Sequence, residues 1–163
     1  MKIDLRKYEV GKHYLIEEDI DFSSYEFSKN YRIRCIKECH INIDLVIFED
    51  VTNLSIKMQG KVIGACSYTN EDVEVPYRLK ENMTFSDKEG EADYLEKGNV
   101  IDLDPYLISL IDNAVPLNII KKGATLPSGG QGYEVISEDD YFKKKKSDGS
   151  SPWDKLDEIN FDE

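Results

Sequence analysis

Leu54-Ser55-Ile56-Lys57-Met58-Gln59-Gly60-Lys61-Val62-Ile63-Gly64-Ala65-Cys66-Ser67-Tyr68 decides the fold class. Leu54, Ile56, Met58, Val62, Cys66 and Tyr68 share one parity, while Ser55, Lys57, Lys61 and Ser67 take the other. Side chains of a strand point alternately to its two faces, so this is a long strand with one apolar face, bent at Gly60 or Gly64. Upstream, Ile33, Cys35, Cys39, Ile41, Ile43, Leu45 and Ile47 form a similar series, interrupted by Lys37. Downstream, Thr69-Asn70-Glu71-Asp72 supplies turn residues before Val73, Val75, Tyr77 and Leu79. Three consecutive strands predict an antiparallel meander.

Around the meander the pattern is weaker. Ile3, Leu5 and Tyr14-Leu15-Ile16 are candidates for short strands, and Ser86 to Asn99 is rich in Asp, Glu, Lys and Gly, which predicts an exposed loop. A helix is expected from Asp104, with its carboxylate as cap, Pro105 at the first helical position, and Leu103 and Ile108 as a hydrophobic staple. Leu107, Leu110, Ile111 and Ala114 line one side of it for packing on the sheet, and Pro116 ends it.

Beyond Lys121 the composition changes. Gly123, Pro127, Gly129, Gly130 and Gly132 exclude a regular element, and without the Gly-x-x-x-x-Gly-Lys-Ser/Thr pattern they make a linker or docking loop, not a phosphate loop. Ser137-Glu138-Asp139-Asp140 has the form of a capping box for a short helix running into Lys143, Lys144, Lys145 and Lys146, where cations favour the helix C-terminus. A last amphipathic helix is expected after Ser151-Pro152, with Trp153, Leu156 and Ile159 roughly on one side, docking on its own domain or in a partner's groove.

With 33 acidic against 21 basic residues, the formal net charge of −12 opposes a broad phosphate-binding surface or attraction to anionic lipid. The start, Met1 to Lys7, mixes charges and lacks the apolar stretch of a secretory signal, so a soluble cytoplasmic chain is expected. Cys35, Cys39 and Cys66 are an odd set without framework spacing, as suits a reducing compartment. Cys39 and His40, being adjacent in a strand, face opposite ways and do not readily share a metal ion. His13 and His40 stand in no nucleophile motif, and the carboxylates are scattered, so no catalytic residue, cofactor, metal or small-molecule substrate is assigned.

Several segments in fixed order resemble the YceD family, proteins associated with accumulation of large-subunit ribosomal RNA, and its firmicute YlbN-like branch. They are Cys66-Ser67-Tyr68-Thr69, similar to the family's Cys-x-x-Cys segment with Thr69 in place of the second cysteine; Ile101 to Ile108 with its end at Val115-Pro116-Leu117; Gly132 to Tyr141; and Ser151 to Leu156. The zinc suspected for cysteine-rich relatives would need four Cys or His ligands in suitable pairs, which this chain lacks.

The expected architecture is α+β. It comprises an antiparallel, strongly bent or barrel-like sheet from residues 1–85, one main packing helix, and a flexible tail with short helices. The domain boundaries read as a 1–120 core and a 121–163 Gly/Lys-rich linker with short C-terminal helices. The resemblance implies a non-enzymatic factor for large-subunit ribosomal RNA accumulation or ribosome assembly. At this charge, its partner is expected to be a basic ribosomal protein or another assembly factor. Direct contact with ribosomal RNA through Lys143 to Lys146 is the alternative, and Trp153 and Leu156 are further candidate contacts.

Overall fold

The alternating run becomes the central strand of a sheet in the computed structural model, which describes residues 1–28, 31–127 and 129–147. In chain order the elements are β1 (Lys2–Asp4), β2 (His13–Asp19), β3 (Ile33–Ile47), β4 (Thr52–Ala65), β5 (Asp72–Ser86), β6 (Tyr94–Leu95), β7 (Val100–Asp102), α1 (Asp104–Ala114) and α2 (Glu138–Ser147). The chain divides into two units, Met1–Lys122 and Gly123–Glu163. Among the described residues no helix is long and apolar enough to cross a membrane.

β2, β3, β4 and β5 pair in sequence order, all antiparallel, and β6 adds to β5 in parallel through Phe85 and Ser86. The result is a mixed, mostly β architecture with few helices. It is an open sheet and not the barrel that was one form of the expectation. β2 lies beside residues 40–46 of β3, whereas β6 touches only the far end of β5, so the two edges offer little common length for a closing ladder. A second, two-stranded sheet pairs β1 with β7, Ile3 opposite Ile101.

The buried face carries Ile41, Ile43 and Leu45 from β3, Leu54, Ile56, Met58 and Val62 from β4, and Tyr77, Met83 and Phe85 from β5. Parity fails at one place. Register shifts between Ile33 and Cys35 and between Ile36 and Glu38 insert extra residues into β3, so Ile36 turns inward while Cys35 and Lys37 face solvent. Gly60 and Gly64 serve close approach: a Cβ at Gly60 would collide with the carbonyl oxygen of Glu38, and one at Gly64 with the Ile119 side chain.

α1 packs on β5 and buries Leu107 and Ile111. Its Tyr106 ring meets Phe85 edge-on at 5.3 Å and Tyr94 at 4.8 Å, joining helix, β5 and β6. Asp104 does not cap the helix as expected. Its carboxylate pairs with the Met1 ammonium, and the Asp104 N–H is accepted by Asp102 Oδ1 at 3.2 Å. The competing cation takes the side chain, and the residue two places upstream supplies the acceptor. At the other end, Arg32 donates to the carbonyl oxygens of Asp112 (2.5 Å), Val115 (2.7 Å) and Pro116 (3.2 Å). These are carbonyls that a helix end leaves without partners, and the guanidinium also suits the negative end of the dipole.

Candidate interaction site

The lysine cluster expected at the end of the second helix is only partly described. Ser137 Oγ accepts the Asp140 N–H at 3.1 Å, which starts α2 as the capping pattern requires. Lys143 then stands 3.6 Å from Asp140, and Lys144 donates to Glu134 at 2.7 Å. Lys145 and Lys146 lie within α2. Trp153 and Leu156, with the expected last helix, lie outside the described residues. The two lysines whose side chains are described thus lean on carboxylates of their own unit.

Two of the segments that suggested a family, Cys66 to Thr69 and the helix with its end, lie in the first unit. The turn after β4 closes through Asn70 N–H to the Cys66 carbonyl (2.8 Å), with Asn70 at a left-handed φ of 57°. The chain leaving α1 returns to this turn: Ser67 N–H donates to the Ile119 carbonyl (2.7 Å), Lys121 N–H to Cys66 Sγ (3.4 Å), and Lys121 Nζ to Glu71 (2.9 Å). The Thr69 hydroxyl beside Cys66, together with the Lys121 N–H, brings the buried thiol down to about 7. Donors aimed at sulfur favour thiolate.

The two histidines are spoken for by carboxylates. His13 Nδ1 lies 3.0 Å from Asp44; His40 Nδ1 lies 2.8 Å from Asp19 and its Nε2 3.2 Å from Glu17. The Asp19 carboxylate, opposite His40 in the β2–β3 ladder, raises the imidazole above its ordinary value. Beside His40 the β3 bulge opens a broad concavity of about 820 Å³ near Lys37, Glu38, Lys61 and Tyr77. Lys37 pairs there with Glu74 (2.6 Å) and Lys61 with Glu74 (3.1 Å) and Glu38 (3.7 Å), while Arg78 lines the same concavity. Among the described residues no three His, Cys, Asp or Glu side chains are placed to hold a metal ion.

The solvent face of the sheet carries a feature that the sequence reading missed. Lys57 of β4 stands directly opposite Lys80 of β5, and Gln59 opposite Arg78, while Asn42 flanks Lys57 from β3. These residues line a shallow depression of about 420 Å³. Among the described residues no carboxylate pairs with Lys57, Arg78 or Lys80. Alternation alone places Lys57 on the outer face. Their convergence depends on the β4–β5 register, which a one-residue change in the intervening turn would undo.

No family model matches the chain, and no curated protein and no solved structure matches it.

Proposed function

We propose that this chain is a non-enzymatic cytoplasmic factor supporting large-subunit ribosomal RNA accumulation or ribosome assembly, acting chiefly by binding a basic ribosomal protein or another assembly factor. The observation that carries the reading is the closure of the Cys66 turn against the Ile119 to Lys121 return that follows α1, through backbone and sulfur hydrogen bonds. This closure supports reading the Cys66 turn and the chain that follows α1 as one piece, in keeping with the resemblance to the YceD family. A net charge of −12 favours a cationic partner.

The test is depletion of the protein in its source cells, followed by gradient separation of ribosomal subunits and their precursor RNAs. A selective fall of large relative to small subunits is expected. An unchanged ratio with unchanged precursors would reject the assembly role.

A further inference from the structure

We propose that the outer face of β4 and β5, centred on Lys57, Arg78 and Lys80, binds single-stranded RNA through its phosphate backbone. The inference does not depend on the assembly role. It rests on where the sheet leaves its cations unbalanced.

Other cations of the meander have acidic neighbours: Arg34 with Asp72 at 2.8 Å, Lys37 with Glu74 at 2.6 Å, Lys61 with Glu74 at 3.1 Å. In a chain with 33 acidic residues such pairing is the ordinary outcome. Lys57, Arg78 and Lys80 instead form a positive island with no carboxylate partner among the described residues, Arg78 also reaching the edge of the concavity beside it, and Lys57 faces Lys80 across the ladder. Like charges directly opposite oppose sheet formation, and a bound polyanion would relieve that repulsion. Arg78 and Lys80 are two residues apart on one strand, a separation of roughly 6.8 Å along it. Glu17 opposite Asn42, Asp44 opposite Ser55, and Glu74 opposite Ile63 border the island and confine an anion to its centre.

The neighbours decide the kind of anion. Asn42, Gln59 and Asn82 are exposed and supply neutral donors and acceptors suited to a ribose 2′-hydroxyl beside a phosphate. Met58 is buried and Leu79 half-buried, so the patch offers none of the apolar anchoring that fixes a protein segment. It carries no aromatic ring either, so bases are not stacked and the contact reads charge, with little sequence preference.

The test uses the full chain and a labelled uridine homopolymer of about 16 nucleotides, titrated at several salt concentrations. Three phosphate contacts predict that log K falls against log salt with a slope of about −2. The combined Lys57→Gln, Arg78→Gln, Lys80→Gln variant is expected to lose about tenfold or more in affinity and to flatten the slope, while its thermal midpoint stays at or above the parent's. A Lys143→Gln, Lys144→Gln variant is expected to bind as the parent does. Absence of binding at low salt, or an unchanged affinity in the triple variant, would overturn the proposal. So would tighter binding of a poly-glutamate peptide or of the matching deoxynucleotide, either of which assigns the face to another anion.

Discussion

At Gly60 a single hydrogen atom stands where any other residue would place a methyl group. The bulge in β3 brings the Glu38 carbonyl over this glycine, and the Tyr77 hydroxyl donates to the same oxygen at 3.0 Å. Burial and the neighbouring Cys39 push the Tyr77 hydroxyl well above its ordinary value, so it remains a donor at any working pH. Gly60→Ala must displace the bulge or lose the Tyr77 bond, and a loss of about 1–3 kcal/mol in urea unfolding is expected. An unchanged midpoint would mean the bulge moves freely. His40 offers a pH test. Its folded value is raised above 6.5, chiefly by the Asp19 hydrogen bond, so its stabilisation is complete below the unfolded value and disappears as pH rises through the folded one. Parent and His40→Gln should therefore differ most in melting temperature near pH 6 and converge by about pH 8. A gap that widens with pH would contradict the pairing. The sequence made the glycines visible but not their purpose. It also misassigned Cys35 and Lys37, because alternation presumes a regular ladder and nothing in residues 33–38 announces the two register shifts.

The elements were legible in proportion to their length. The three long strands follow from period-two alternation alone, and α1 from Pro105 and its apolar stripe, because each buries a face wide enough to impose its own pattern. β1, β6 and β7 are two or three residues long; Ile3 hinted at β1, but β1 and β7 are partners about a hundred residues apart in the chain, and β6 and β7 fall where the sequence reads as loop or as the approach to α1. The cap of α1 was misplaced for a related reason: the Met1 ammonium that occupies Asp104 arrives from the other end of the first unit. At this scale the facing lysines make a distinct prediction. Lys57→Glu converts a like-charged cross-strand pair into an opposite one and should raise stability by roughly half a kcal/mol. The same substitution should weaken RNA binding. A protein that becomes less stable instead would show that the two lysines do not repel across the ladder.

For the whole molecule, the net charge of −12 supports an expectation of basic partners, yet it conceals a local positive surface. A sum over the chain cannot reveal an arrangement that only strand register creates. The candidate residues read from the sequence were those clustered along the chain, Lys143 to Lys146, whereas Lys57, Arg78 and Lys80 cluster across it. The two units divide after Lys122, beside the glycine-rich stretch from Gly123 to Gly132.

The pairing of Ile3 with Ile101 has a consequence for the order of assembly. β3, β4 and β5 join through the short connections 48–51 and 66–71, and such contacts form after small losses of chain entropy. Bringing β1 to β7 instead closes nearly the whole first unit into one loop, and that contact is expected after the rate-limiting barrier. Ile56→Val should then slow refolding, whereas Ile101→Val should leave refolding unchanged and hasten unfolding. Stopped-flow chevrons that reversed this assignment would place the terminal ladder in the nucleus. If the assignment holds, the small sheet acts as a latch: it adds little to how fast the protein is made and much to how long it lasts.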